Sequence, residues 1–578
     1  MQPGPALMQT NEKWEISAMI KLRPIAPLVG ISFVLCQSVV AATLVGTVQS
    51  DEHAVRGALV TLSSADGMVS ETVYSDDAGR YQLATQLSGK LTLRARAPLK
   101  ADDARSIDVP AGDAKINQSL VLRRLMTPQA ISDSLPASAH FARIKFPTLI
   151  AREQFQTDCL SCHEIGNPFT RKAHTPEEWT AILKIMTVYC GYTSQVHVAD
   201  YAAAMQHAFD GTPTSAHEDV VVDKEALGAR ITEWKLRGAL VAHDTEFNPN
   251  DGKFYTTDEA SDRIFVTDPK SNITTTIPLP DGGTPVGGRF AERNLPVPFN
   301  FNVRHGVHSL QLAADGLFYM TGAIGGEIGV FDPKRGTYKA YRIGGTALYP
   351  HTLRFDSKGI IWFTLHMSNQ VGRFDPRTGD IKIIELPTNM ARVDERTTAP
   401  YGIDISPLDG SIWYSKLWAN KIGRVDPTTL EVREFEPPVI GPRRLRFDAS
   451  GALWIPGFGD GKVAKLDTRT MKYQVHRIPT LADDEVEAPY ALAVDPHTQD
   501  VWVSALMSDR MFQFVQKTGR FVAYPLPTRG TYFRDIVFPG DGRVCASSNP
   551  MPPLPEVIEG GMDSLVCLQP IAAERRQH

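Results

Sequence analysis

From about residue 241 onward, short apolar segments recur behind turn residues in a unit that repeats along the rest of the chain. The units align on His243, His308, His351, Tyr401, Arg443, Tyr490 and Arg534. Each predicts a first strand, a turn such as Asp315-Gly316 or Asp409-Gly410, and an aromatic second strand. Most continue with a third strand ending in Asp-Pro or a close variant (263–269, 328–333, 371–376, 422–427, 463–468) and a fourth (338–343, 381–386, 432–435, 473–478). Four strands per repeat cannot bury both faces alone, so neighbouring units stack in a ring. The expectation is a seven-bladed β-propeller over 239–570, followed by a tail at 571–578. Innermost strands run along the propeller axis, so the seven aligned positions are expected to gather around a central channel. The longest insertion, 281–307, is expected to cover that face.

Earlier in the chain the alternation is also of period two. Segments 44–48, 58–62, 81–83, 91–95 and 117–122 are separated by turn residues and predict a small β-sandwich over 43–125. The period then changes. A proline-bearing stretch at about 127–147 reads as a linker, and 126–238 as a whole as linker plus a small helical domain. Thr175-Pro176-Glu177-Glu178 supplies a cap, a first-turn proline and acids at the positive end of a helix. Trp179, Ile182, Leu183 and Met186 then share one face. A second helical segment covers 198–209. The fold class is thus mainly β, with a helical insert between a sandwich and a propeller.

Near the start, Lys21 and Arg23 precede an apolar run over 24–40, and Val40-Ala41-Ala42 suits a cleavage site, so 1–42 reads as a signal peptide. The expected location is the periplasm. No later segment is apolar for long enough to span a bilayer. The 578 residues carry a formal charge of only -5 with no block of Lys or Arg, which argues against nucleic acid as a partner.

Cys159-Leu160-Ser161-Cys162-His163 concentrates the chemistry. Two thiols at this spacing each add to a vinyl group of one haem, and the adjacent histidine reaches the iron. The competing reading, a dithiol redox motif beside an unrelated histidine, wants a strand-then-helix setting that this neighbourhood lacks. Haem c is therefore the expected cofactor, held by Cys159 and Cys162 with His163 as one axial ligand. Met186 is the leading candidate for the other, Met205 the next, and His174, His197 and His207 weaker options. Thioether ligation closes the iron and suits electron transfer. Among the remaining cysteines, Cys36 leaves with the signal and Cys190 reads as a buried thiol. Cys545 and Cys567 either form a disulfide in an oxidising compartment or stay as separate thiols.

Three resemblances add to this. Gly46-Thr47-Val48, 55–60 and 77–81 resemble the carboxypeptidase regulatory-like domain, which implies an accessory transthyretin-like fold. Arg171, Thr175, Glu178, Trp179 and Met186 resemble small mono-haem domains of quinohaemoprotein type. Pro350-His351-Thr352-Leu353, Trp362-Phe363-Thr364, Pro400-Tyr401-Gly402-Ile403 and 420–424 resemble virginiamycin B lyase, a seven-bladed propeller. That resemblance implies a first-strand histidine, a second-strand glutamate in the same blade and a magnesium ion. His351 matches the histidine, but Leu365 stands at the glutamate position, followed by His366. The equivalents elsewhere are Asp258, Gly322, Lys416, Gly457, Ala505 and Ser548, so only His243 with Asp258 keeps a histidine and a carboxylate.

The pattern itself places His243, His308 and His351 on consecutive blades, with His305 nearby. Three imidazoles suit a divalent metal with positions left open; hydrogen bonding in a water-filled channel is the other reading. Arg443, Arg534, Tyr401 and Tyr490 complete the ring and favour an anionic or oxygen-rich ligand. Lys416 and Arg304 add charge only if their loops point inward. Two functions follow. One is a periplasmic haem protein, of oxidoreductase class if an enzyme, coupling a propeller that binds a small molecule or a partner to one-electron transfer. The other is a lyase-like or binding propeller with an accessory haem domain.

Overall fold

The computed structural model describes residues 41–189, 198–216, 221–388 and 399–570. The apolar run with Cys36, Cys190, His197 and the tail at 571–578 lie outside the described residues.

The N-terminal sandwich packs Leu44, Val48, Val60, Leu62, Tyr81, Leu83, Leu91 and Leu93 between two sheets. Strict alternation drives this, as in Arg80–Thr85, where every second side chain is buried. The strand Val69–Tyr74 carries Ser, Glu and Thr and shows no such alternation. Its polar groups have another use. It pairs with Leu59–Ser63 inside the sandwich and, on its other edge, with Arg230–Lys235. Ser70 donates to Glu233 at 3.0 Å, and Arg230 meets Glu71 at 2.7 Å.

After Arg230–Lys235 come six four-stranded antiparallel sheets in sequence order. Their first strands touch one another in turn, and the last strand group returns to the first. That closing group consists of Phe533–Val537, Val544–Ser548, Ser564–Gln569 and, as its outermost strand, Arg230–Lys235 from before the first repeat. The sandwich sheet continues from this same strand, so one eight-stranded sheet runs from the channel wall to the far edge of the sandwich. Tyr74 donates to Pro525 O at 2.6 Å, and Arg96 reaches Pro527 O at 2.9 Å and Glu559 at 2.7 Å across the junction. Cys545 and Cys567 face each other on adjacent strands and are disulfide-bonded.

An edge strand left bare is a template for pairing with another chain. A chain lacking residues 41–125 bares Arg230–Lys235, and its expected behaviour is concentration-dependent association in light scattering, with the full chain as the reference.

The helical segment lies on the channel mouth and shares one hydrophobic core with it: Phe155, Leu160, Trp179, Leu183 and Met205 pack with Tyr401, Leu417, Trp418, Phe458, Tyr490 and Tyr532. The stretch expected to be a linker forms two short helices, Pro128–Ser134 and Ala137–Phe141, the second of them buried. Pro128–Ser134 starts on Thr127, whose hydroxyl accepts from Ala130 N, with proline in the first turn. Ala137–Phe141 follows, and Phe141 stacks toward Phe146 and Phe155. The prolines here start helices. Helix Leu149–Cys159 is capped by Thr148 and helix Pro176–Tyr189 by a reciprocal Thr175–Glu178 pair. No described helix is long and apolar enough to cross a membrane.

Candidate functional site

Helix Leu149–Cys159 ends directly over the ring, and the carbonyls of Leu160 and Ser161 and the Gln156 side chain are tied to it. Gln156 donates to Phe458 O at 2.9 Å and Glu487 O at 3.0 Å, and Tyr532 donates to Leu160 O at 2.7 Å. Arg443 reaches Ser161 O at 3.4 Å. The approach depends on Gly459, because a Cβ there would sit 2.8 Å from the Thr157 methyl and 3.2 Å from Glu153 O. Cys159 and Cys162 are both half-buried. His163 Nδ1 lies 3.1 Å from Glu164 O. That contact orients the ring and places the proton on Nδ1, so Nε2 is the nitrogen that can ligate a metal. Thiols, spacing and tautomer fit covalent haem attachment.

Ser161 and Cys162 line a cavity of about 70 Å³ together with His243, Glu259, His308, Tyr349, His351, His366, Tyr401, Arg443, Tyr490 and Arg534. The seven aligned positions come together here. The His243 and His308 rings are 3.6 Å apart, His308 and His351 4.0 Å, and His351 and Tyr401 4.0 Å. The Arg443 guanidinium lies 4.5 Å from the Tyr401 ring and 3.8 Å from that of Tyr490, and Arg534 closes the circuit 5.2 Å from Tyr490.

Six of the seven first strands carry a register shift at or beside the ring residue, between Ala242 and Thr245, Val307 and Leu310, Pro350 and Leu353, Pro400 and Ile403, Pro489 and Ala491, and Phe533 and Ile536. A bulge re-aims side chains beside a site. Here it has the consequence that the second-strand residue reaching the cavity is one later than simple alternation predicts. Asp258 pairs with Ala242 and spends its carboxylate on Leu240 N, Val241 N and Ser261 Oγ. Glu259 enters the cavity in its place. By the same step Leu365 is a core residue and His366 lines the wall.

His243, Glu259 and His308 present ligand atoms within 4.8 Å of one another, a grouping that leaves out His351, whose Nδ1 lies 2.9 Å from Thr352 Oγ1. Among the described residues His308 Nδ1 has no hydrogen-bond partner. His305 is taken up by Glu327 at 2.6 Å and Pro280 O at 2.9 Å in the insertion. Lys416 pairs with Glu434 at 2.6 Å, and Arg304 donates to Thr284 O, so neither charges the cavity. Met186 is half-buried on a helix that touches Pro298–Asn300, the part of the insertion from which Phe299 enters the cavity wall. Met205 is in the helical core, His174 contacts Glu178 and Trp179, and His207 is exposed. Met367 and Met551 line the cavity, and neither motif nor repeat pattern singles them out.

Burial holds His243, His308 and His351 well below the usual imidazole range, with neighbouring guanidiniums or imidazoles adding to it. They are neutral near neutral pH, the form that binds metals or accepts a proton. Burial raises Glu259 to about 7, against a hydrogen bond donated by Tyr349 at 2.5 Å. For Tyr490 burial works upward, but Arg534, Arg443 and Arg444 outweigh it and lower the phenol. Beneath the ring, Arg444 binds both oxygens of Asp244 at 2.8 and 2.9 Å, and His243 Nδ1 meets the same carboxylate at 3.0 Å.

Asp563, whose carboxylate accepts from Ala242 N at 2.6 Å where the ring closes, is raised by burial from 3.8 to about 7. Between those values the folded chain keeps a proton that the unfolded chain has lost, so this group's contribution falls as pH rises from about 4 to about 7. At about 1.4 kcal/mol per pKa unit the loss is on the order of 4 kcal/mol. Asp563→Asn is therefore expected to gain stability on wild type as pH rises through that window, read from urea melts at pH 5 and pH 8.

No family model matches this chain, and no curated protein sequence does. Solved structures to which this chain is similar include propellers of virginiamycin B lyase type, matched over about 59% of the chain. Virginiamycin B lyase from Staphylococcus aureus matches at 20% identity over 59% of this chain and 100% of its own, with a TM-score of 0.47. A streptogramin B lyase matches at 19% identity over 60% and 100%, with a TM-score of 0.47. Kuenenia stuttgartiensis hydrazine synthase matches at 14% identity over 54% and 95%, with a TM-score of 0.40.

Proposed function

We propose that this chain is an exported, periplasmic c-type haem protein in which a seven-bladed propeller holds a small molecule at its channel mouth beside the haem. The observation that carries this is the shared wall: Cys162 and Ser161 bound the same cavity as the buried histidines, tyrosines and arginines. A haem joined to Cys159 and Cys162 supplies one-electron transfer. The chain's own residues orient and protonate. His163 is held by Glu164 O, and the Tyr401–Tyr490 pair, 3.0 Å apart, abuts His243 Nε2 at 3.4 Å. That contact gives a proton a path from phenol to imidazole. The Cys545–Cys567 disulfide supports an oxidising compartment. The class this supports is an oxidoreductase with a small-molecule substrate or an electron-transfer partner.

Visible spectra of the protein, made where haem can be attached, test this. A c-type spectrum is expected, unchanged by carbon monoxide if Met186 closes the iron. Rapid carbon monoxide binding removes Met186 as a ligand and points to chemistry at the metal. Absence of covalent haem refutes the proposal.

The proximity of His243, Glu259 and His308 favours a second reading, a propeller binding a divalent cation in the manner of a lyase, with the haem domain as an accessory. Three nearby guanidiniums oppose a cation. Hydrolysis or elimination of a cyclic depsipeptide that depends on added magnesium and on Glu259 would favour this reading over the first.

A further inference from the structure

We infer that Arg443 and Arg534 form a binding site for a small anion, a carboxylate or an oxyanion, in the wall of the channel cavity; this rests on the reading of that cavity as the ligand site. Arg443 is 1% exposed and Arg534 3%. A buried guanidinium is normally matched by a carboxylate, since removing the charge from water is costly. The channel's other arginines follow that rule: Arg444 is held by Asp244 and Asp535, and Arg354 and Arg446 by Asp535. Among the described residues, Arg443 and Arg534 have no such carboxylate.

The Arg443 contacts are Tyr401 OH at 2.5 Å and Ser161 O at 3.4 Å, and its Nε and Nη1 have no hydrogen-bond partner among the described residues. Arg534 donates to Tyr490 OH at 3.2 Å and Asn549 Oδ1 at 3.2 Å, and its Nε has none. Glu259, the one acid among the described residues lining the cavity, accepts from Tyr349 instead. Both arginines flank the Tyr490 ring, at 3.8 and 5.2 Å. Guanidiniums converging with free N–H edges suit bidentate binding of a carboxylate or oxyanion. The volume, about 70 Å³, compares with roughly 30 Å³ for a water molecule, so one small ion fits.

Two sources offer that chemistry: a free anion, or the propionates of the protein's own haem. Calorimetric titration of the full-length holoprotein with sodium nitrite and sodium acetate, together with its reduction potential, separates them. For a free anion, wild type shows saturable one-site binding that R443Q/R534Q weakens roughly 100-fold, the effect of losing two charge-assisted contacts. For propionates, wild type binds neither probe and the variant has a lower reduction potential. Because R443Q/R534Q removes buried groups, R443M serves as a second variant: for a free anion, wild type gains thermal stability in saturating probe that R443M does not, and for propionates R443M lowers the potential in the same direction as the double variant. The proposal is overturned by wild type that binds neither probe with a potential unchanged in R443Q/R534Q, or by R443M binding the probe as wild type does. A protein without covalent haem that still binds nitrite through these arginines sinks the haem reading alone; a haem-bearing protein that binds neither probe and keeps its potential in R443Q/R534Q sinks only this one.

Discussion

Protein in which Cys159 and Cys162 are both alanine is expected to retain no pigment after denaturation and desalting, whereas wild type is expected to keep it. Thioether bonds survive unfolding, while axial coordination by His163 does not, because it depends on the folded position of one imidazole. The double variant is expected to fold. The motif's attachment to the ring runs through Leu160 O to Tyr532, Ser161 O to Arg443 and the Gln156 amide, none of which involves a thiol. Both cysteines are only half-buried, so truncating them costs on the order of 1–2 kcal/mol. Single variants should keep the pigment with an altered haemochrome band. Wild type that loses its colour on desalting would falsify the assignment.

The largest effect on stability is expected from Asp535→Asn. One oxygen of this carboxylate accepts from Arg446 at 2.6 Å and Arg354 at 2.9 Å and lies 3.1 Å from Arg444. Three guanidiniums thus converge on it in the channel beneath the ring. Arg444 keeps Asp244, but Arg354 and Arg446 lose their only ionic partner among the described residues. Breaking a buried pair by deleting one side typically costs 3–5 kcal/mol, because the other charge stays desolvated. Urea melts should show the loss as a lower midpoint. Adding Arg446→Met to Asp535→Asn should recover part of it, since an apolar side chain leaves no stranded charge. A single variant as stable as wild type would mean that water already solvates this network.

How far these features were legible in the sequence varies with their range. Thr175 announces its helix because a cap acts within three residues. The repeat register is equally local, and every aligned position from His243 to Arg534 lies on or beside a first strand of the ring. The strand Val69–Tyr74 was not legible. Its Ser70 and Glu71 look like loop residues until Glu233 and Arg230, more than 150 positions away, arrive as partners. Prolines 128 and 136 look like linker residues until Phe141 is seen packed into the helical core.

Glu259 fell between the two cases. Alternation on the second strand selects Asp258, and a bulge on the partner strand is what shifts the wall to the next residue. No single-strand pattern carries that, because a bulge is a relation between two strands. Met367 and Met551 were missed for a similar reason: both sit in loops, where periodicity says nothing about direction.

What the sequence alone determined is the chemistry available and the repeating frame: two thiols and a histidine at haem-binding spacing, and a ring position in each repeat filled by histidine, tyrosine or arginine. Both are written in spacing and residue type, which are local. Only the tertiary structure decided that these belong to one place. The end of helix Leu149–Cys159 reaches the channel because Gly459 admits it and Tyr532 holds it, and two arginines face the resulting cavity without carboxylates. Burial and charge balance depend on residues hundreds of positions apart, so they exist only once the ring has closed.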